Sequence, residues 1–199
     1  MQYIANLQDR YSSPWTKVKF YREKPNIETT RKLSSLRFCK VIKESQRTRS
    51  IILDKSCINC LGARYVFGWE DKKDEIIENC EKRWNIPIAT IKTILNGVQI
   101  LPAGINYIGL NVDGALDVVV SYIQPRQFMD MLRTYQNKTG KQLKTSVSSV
   151  MSICGSVVKA YLNNEICISF GCEDSRRYSD IGRDRFAVAI PNNLIESFV

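Results

Sequence analysis

The chain has 199 residues, of which 44% are hydrophobic and 25% are charged, and its formal net charge is +9. No apolar run is long enough to span a membrane and the first residues lack a signal-peptide pattern, so composition excludes a membrane span and predicts a cytoplasmic location. Residues 1–50 carry twelve Lys and Arg against four Asp and Glu. This excess indicates either a surface for nucleic acid or another anion, or simply a solvated basic face.

The first half of the chain predicts two strands and three helices. Residues 16–22 alternate polar and apolar side chains, which favours a strand. An amphipathic helix over 36–47 precedes a second strand over 50–54. Residues 71–97 have helical periodicity with an acidic first turn, and Pro87 divides them into two helices.

The second half alternates strands with helices. A helix is predicted from Pro125 to about residue 138, because proline favours the first helical turn and Gly140 then ends it. The strands are predicted over 106–111, 117–123, 143–147, 166–170 and 185–190, and a last short helix begins near Asn192. This order predicts an α/β (mixed α+β) fold: a single layered domain over 1–199, with a mixed β-sheet and flanking helices.

Seven cysteines and no histidine are the most informative feature of the composition. In a reducing compartment, an odd number of clustered cysteines indicates metal binding or redox chemistry rather than a disulfide framework. Without imidazole, a metal must be held by thiolates, which favour zinc, copper(I) or iron–sulfur clusters. Cys80 and Cys167 lie within a predicted helix and an apolar strand, where a buried structural thiol is the simpler interpretation.

Cys57 and Cys60 form a C-x-x-C motif, which supports three kinds of chemistry. The strand before it and a possible helix from Leu61 fit a thioredoxin-like redox pair at a helix N-terminus. A structural zinc site would require a second close pair, and Cys154 and Cys172 are too widely spaced for one. An iron–sulfur cluster tolerates ligands from several distant loops, so it fits this spacing best.

The cysteine segments also suggest an internal repeat. Each has a cysteine, a helix-compatible stretch, a short apolar strand and a second cysteine, with a serine pair in front: Ser34-Ser35 before 39–57 and Ser148-Ser149 before 154–172. The half-sites 34–60 and 148–172 would then pool their cysteines on one metal centre. The repeat pairs Cys57, rather than Cys60, with Cys172.

The charged segment after Cys172 contains Ser175, Arg176 and Arg177. Paired guanidinium groups beside a thiolate could stabilise its charge or bind a small anionic substrate. The alternative is an exposed loop in which these arginines pair with neighbouring acidic residues.

Several spaced motifs together resemble domain-of-unknown-function family 169, an uncharacterised family of archaea and anaerobic bacteria. The resemblance extends from about Pro14 to Pro191. The matching motifs are Arg37-Phe38-Cys39, Cys60-Leu61-Gly62-Ala63, Phe67-Gly68-Trp69, Leu101-Pro102, Ser148 to Gly155, and Ser169 to Arg177.

The resemblance implies that the ligand set is Cys39, Cys60, Cys154 and Cys172, although Leu61 replaces the proline of the family motif and Cys57 stays an alternative ligand. Our leading hypothesis is a 4Fe–4S protein. Four bound thiolates would favour electron transfer, with a redox partner protein, or a structural or sensing role. If only three thiolates bind, it would be a cluster-dependent enzyme acting on a small anionic ligand. The alternatives are a zinc- or thiol-based module that contacts nucleic acid, and a C-x-x-C thiol redox protein.

Overall fold

The computed structural model describes residues 2–28, 35–47, 50–147 and 150–199. The strands within these residues are β1 (Thr16–Tyr21), β2 (Ile51–Leu53), β3 (Tyr107–Leu110), β4 (Val118–Ile123), β5 (Thr145–Val147), β6 (Ile166–Ser169) and β7 (Phe186–Pro191). The helices are α1 (Gln2–Tyr11), α2 (Phe38–Ser45), α3 (Leu61–Val66), α4 (Lys73–Trp84), α5 (Ile88–Asn96), α6 (Pro125–Thr139), α7 (Ser152–Asn163) and α8 (Glu173–Tyr178), with short 3-10 helices at Lys55–Cys57 and Asn192–Phe198. No helix in these ranges has the length and apolar composition needed to cross a membrane.

The seven strands form one mixed sheet in the order β2-β3-β1-β4-β7-β6-β5. Neighbouring strands are antiparallel except β5 and β6, which are parallel and are connected through α7. The predicted mixed α/β domain is therefore confirmed. The parallel pair matters for the site, because its connecting helix lies against the centre of the sheet.

Helices cover both faces of the central strands. Val118, Val120 and Tyr122 of β4 face a core shared with α2, α3, α4, α5 and α7. Val119 and Ile123 face the other way, into a core formed with α1, α6 and the C-terminal 3-10 helix. Successive side chains of a strand point to opposite faces, so a strand buried throughout, as β4 is, requires both layers. The nearly continuous apolar run over 118–123 is typical of a strand that is covered on both faces.

The predicted elements agree with the structure except at two helices. The boundary signals act as expected: Pro87 precedes α5, and Gly140 ends α6 with a left-handed φ of 64°. Helix α1 was not predicted, although Ile4, Leu7 and Tyr11 have helical spacing and pack into the core formed with α6 and the C-terminal 3-10 helix. A loop was also predicted where α8 forms, because six mostly charged residues show no helical periodicity.

The two half-sites of the predicted repeat share an order of elements. Segment 34–60 contains α2 followed by β2, and segment 148–172 contains α7 followed by β6. Ser34, Ser148 and Ser149 of that comparison lie outside the described residues. A common origin of the two segments stays a prediction.

Candidate functional site

A cavity of about 270 Å³ lies where α2, α3, α4, α7 and α8 meet, on one face of the sheet. All four cysteines that were predicted as ligands line it, although they come from four separate segments. The residues that line the cavity are Arg37, Phe38, Cys39, Asn59, Cys60, Leu61, Gly62, Ala63, Ile76, Asn79, Cys80, Arg83, Trp84, Val150, Met151, Ser152, Ile153, Cys154, Cys172, Asp174 and Ser175.

Each of these four cysteines lies at the beginning of a helix. Cys39 is the second residue of α2 and Cys154 is the third residue of α7. Cys60 and Cys172 are the N-cap residues of α3 and α8. Helix N-termini present free amides and partial positive charge, which favour a thiolate over a thiol. The fold therefore directs four helix starts, each with its own sulfur atom, to one cavity.

Cys39 and Cys154 are the most deeply buried of the four. Burial raises the pKa of Cys39 to about 11, against the opposing effect of the Ser179 hydroxyl, whose Oγ lies 2.8 Å from the sulfur. Burial also raises the pKa of Cys154 well above its usual value, and its thiol donates to the Met151 carbonyl at 3.3 Å. Both thiols are therefore neutral at physiological pH unless a cation joins them.

Cys60 and Cys172 form the less buried side of the group. Burial raises the pKa of Cys60, and the backbone N–H of Ala63 and the charge of Arg37 act in the opposite direction. Negative charge on Cys172 raises the pKa of Cys39, Cys60 and Cys154, so its sulfur is close enough to interact electrostatically with all three. The four thiols thus form one electrostatically coupled group, in which several thiolates require a compensating positive charge.

Cys57 points away from this group. Its thiol donates to the Asp54 carboxylate at 3.6 Å, and it is not among the residues that line the cavity. The Ser56 hydroxyl holds the pKa of that carboxyl below its usual value. Cys57 is the last residue of the 3-10 helix Lys55–Cys57, whereas Cys60 is the N-cap of α3. Only Cys60 reaches the cavity with the other three predicted ligands.

The other two cysteines have different surroundings. Cys167 is buried on β6, where its sulfur lies 3.2 Å from the Ser146 hydroxyl, and it does not line the cavity. Cys80 is buried in α4 but does line it, a role that the sequence did not predict. The spacing of Ile76, Cys80 and Trp84 at every fourth position of α4 was the available signal, because it places all three on one helix face.

The arginines predicted to bind an anion lie elsewhere. The Arg176 guanidinium donates to three backbone carbonyls, those of Phe170, Gly182 and Arg185, at 2.5–2.8 Å, so its donors already have acceptors. Arg177 is exposed, with its guanidinium 5.4 Å from the Tyr178 ring. Neither lines the cavity. Of the three residues assigned to anion binding, Ser175 alone lines it, and its hydroxyl donates to the Cys172 carbonyl at 2.7 Å.

Arg37 and Arg83 are the cationic residues that line the cavity instead. Both donate to the Asp174 carboxylate at 2.7 Å, which connects the starts of α2 and α8 to the end of α4. The adjacent Glu173 accepts a 2.7 Å hydrogen bond from the Trp84 indole. The acidic residues of α8 therefore close one side of the cavity. In the exposed-loop alternative, they would have paired with Arg176 and Arg177, which are close in sequence.

The separation of the thiols bears on which metal they could hold. Among the described residues, no three Cys, Asp or Glu side chains lie within reach of a single metal ion. A zinc ion bound by thiolates at about 2.3 Å would need such a group. A 4Fe–4S cluster is larger and takes one thiolate at each iron, so its ligands stand further apart. The four thiols line one cavity, but they do not form the close donor group that a single zinc ion needs.

The chain matches a known family model over most of its length. The profile of DUF169, described as uncharacterised ArCR, matches residues 17–199. The chain belongs to the DUF169 family. No curated protein matches this DUF169 chain, and no solved structure matches it.

The motifs that carried the family resemblance divide into two groups in this DUF169 structure. Each of the four cysteine motifs contributes residues to the cavity wall, including its cysteine. Ser148 and Ser149 of the third motif lie outside the described residues, and Arg176 and Arg177 of the fourth do not line the cavity. The Phe67-Gly68-Trp69 and Leu101-Pro102 motifs instead pack against each other. Gly68 has a φ of 67°, and a β-carbon at this position would lie 3.0 Å from the Leu101 carbonyl oxygen. These two motifs therefore have a structural role, and the cysteine motifs form the candidate site.

Proposed function

We propose that the protein binds one 4Fe–4S cluster through Cys39, Cys60, Cys154 and Cys172 and functions in electron transfer. The observation that carries the proposal is the convergence of these four thiols, from four helix starts, on one cavity in a chain without histidine. Thiolates from several distant segments are the usual ligands of such clusters.

The protonation of the thiols supports the proposal further. Burial raises the pKa of Cys39, Cys60 and Cys154, so on their own these thiols are poor nucleophiles and poor redox groups. Metal binding displaces the protons and supplies the positive charge that buried thiolates require. This reasoning disfavours the C-x-x-C redox alternative, in which Cys57 would have to approach Cys60 rather than Asp54.

The bound cluster would supply one-electron chemistry, and the surrounding residues would control access to it. Phe38, Ile76 and Ile153 keep one side of the cavity apolar. Arg37 and Arg83 border it, where both pair with the Asp174 carboxylate. With four thiolates bound, every iron has its full set of ligands, which favours electron transfer over substrate binding at iron. All seven cysteines are free, in keeping with a reducing, cytoplasmic location.

The test is anaerobic purification and reconstitution with iron and sulfide, followed by visible absorption and metal analysis. We expect a brown protein with about four iron and four acid-labile sulfide per chain. Replacing any one of the four ligand cysteines with Ser should lower the iron content strongly, since each thiolate binds a different iron.

Matched controls are available in the same chain. Cys167→Ser and Cys57→Ser alter cysteines outside the cavity and should retain the iron content of the wild type. Cys80→Ser should also retain it, because Cys80 lines the cavity without belonging to the proposed ligand set. Equal iron retention in all seven single variants would refute the assignment. Colourless protein with bound zinc would support the zinc-binding alternative instead.

A further inference from the structure

The Ser152 hydroxyl is a buried polar group without a partner at the candidate site. Ser152 is fully buried and lines the cavity, two residues before Cys154. Its Oγ has no hydrogen-bond partner among the described residues. Buried hydroxyls in proteins are nearly always hydrogen-bonded, so an unpartnered one at a cavity wall points to a ligand that completes it.

Neighbouring serines show how unusual this hydroxyl is. Ser156, one turn later on α7, donates to the Ser152 carbonyl at 2.7 Å. Ser175, which also lines the cavity, donates to the Cys172 carbonyl at 2.7 Å. Both therefore have acceptors within the protein, whereas Ser152 has none within the described chain.

The start of α7 gives a second, independent observation. This twelve-residue helix begins after Met151, which has a left-handed φ of 49° and provides no side-chain cap. The first amides of a helix have no acceptor within it, and together they present partial positive charge. Met151, Ser152, Ile153 and Cys154 all line the cavity, so the start of α7 lies at the cavity wall beside the hydroxyl. A hydroxyl and a helix N-terminus together favour an anionic acceptor.

We propose that the Ser152 hydroxyl donates a hydrogen bond to an anionic sulfur atom of the bound cluster and thereby sets its reduction potential. This inference rests on the proposed function. Cluster sulfur can only accept, so the hydroxyl must be the donor. A donor at the sulfur stabilises the reduced cluster, which carries the extra negative charge, and so raises the potential. Ser152 is thus a tuning residue rather than an iron ligand.

The test compares Ser152→Ala with Ser156→Ala, two substitutions one turn apart on the same helix. In reconstituted protein, Ser152→Ala should lower the ratio of reduced to oxidised cluster at a fixed potential about tenfold, as expected for loss of a hydrogen bond to a charged acceptor. Tenfold corresponds to about 59 mV for a one-electron couple. Ser156→Ala should leave the potential unchanged, because its hydroxyl already donates to the backbone.

Unfolding of the cluster-free proteins provides a second readout. Ser152→Ala should leave the apoprotein as stable as the wild type or more stable, because it removes a buried hydroxyl that has no acceptor. Ser156→Ala should destabilise it, since it removes a satisfied one. Loss of stability in both apo variants would mean that Ser152 already has an acceptor, such as an ordered water, and would overturn the inference.

The outcomes separate this inference from the proposed function. A loaded Ser152→Ala protein with the wild-type potential refutes the role of Ser152 and leaves the cluster assignment intact. Wild-type protein that takes up no iron refutes the proposed function, and the inference falls with it. If Ser152→Ala fails to load, Ser152→Thr retains the hydroxyl: restored loading at the wild-type potential supports the inference, and failure of both variants counts against it.

Discussion

The two cysteine-bearing halves of the site have the same order of elements but different positions in the fold. In the first half, α2 and β2 lead to Cys60 at the start of α3; in the second, α7 and β6 lead to Cys172 at the start of α8. Strand β2 is at the edge of the sheet, whereas β6 lies between β7 and β5. The second half is therefore held within the sheet and the first half at its margin.

The charged residues of the short helices α3 and α8 also differ in how far their contacts reach. Arg64 of α3 bonds locally, to the Ile58 carbonyl and the Glu70 carboxylate. Asp174 of α8 instead reaches Arg37 and Arg83, in the first half-site and in α4. Contact between the halves thus depends on α8 and on the packing of α7 against α2 and α3. The two segments therefore form one site because α8 extends Asp174 to Arg37 and Arg83, and their similar order of elements does not by itself bring them together.

The largest effect expected is that of cluster removal. Because the proposed ligands come from both halves, a bound cluster would close long loops and connect segments that otherwise meet through side chains alone. We expect the apoprotein to unfold on the order of 10 °C below the cluster-loaded protein, which corresponds to a few kcal/mol for a chain of this size. Calorimetry or circular dichroism under anaerobic conditions would measure the shift. Coincident midpoints would show that the cluster does not connect the halves.

A smaller effect is expected when the ionic contact between the halves is removed. Asp174→Asn should destabilise the apoprotein by about 1–2 kcal/mol, because it removes charge-assisted bonds to two arginines. The partial exposure of Arg83 keeps the loss from being larger. Denaturant unfolding at neutral pH would measure it. Glu78→Gln is the matched control, because Glu78 forms an exposed pair with Lys82 within α4 and should change stability by less than about 0.5 kcal/mol.

The stability that the Asp174 carboxylate contributes should depend on pH. The Arg83 guanidinium, together with Arg37, holds the pKa of Asp174 below its usual value. A carboxyl whose pKa is lowered by folding contributes stability above its unfolded pKa of about 3.9 and loses that contribution as pH falls through the folded value. The stability difference between wild type and Asp174→Asn should therefore be full at pH 6 and shrink below about pH 4. A difference independent of pH would mean that Asp174 acts through packing rather than charge.

The smallest effect is expected at Cys57, which the predicted repeat paired with Cys172. Its thiol is bound to Asp54 outside the cavity, so Cys57→Ser should retain the iron content and change stability by less than about 0.5 kcal/mol. Cys60→Ser, three residues away, should lose iron. Iron analysis of the two variants decides whether Cys57 or Cys60 is the ligand. Iron loss in Cys57→Ser alone would support the pairing of Cys57 with Cys172 that the repeat predicted.

The elements could be predicted because their signals are local. The alternation over 16–22, Pro87, and the Pro125 and Gly140 boundaries each act within a few residues, and the structure confirms them. Helix α8 was not predicted, although its acidic first turn and basic last turn are helix signals. It has only six residues, and its Asp174 and Glu173 also contact α2 and α4. Anion binding was predicted for Arg176 because it closely follows Cys172 in the sequence. In the structure, its guanidinium donates to carbonyls of the surrounding loop.

The sequence by itself determined which cysteines to consider, since four of them occur in motifs of the DUF169 family and the chain contains no histidine. Only the tertiary structure decided which thiols share a cavity: it includes Cys60, adds Cys80, and directs Cys57 towards Asp54. It also decided that Arg37 and Arg83 border that cavity and that the Ser152 hydroxyl lines it without a partner in the described chain. The physical reason is that motif and periodicity report on neighbours along the chain, whereas burial, ion pairing and unsatisfied donors depend on which helix ends the sheet brings together.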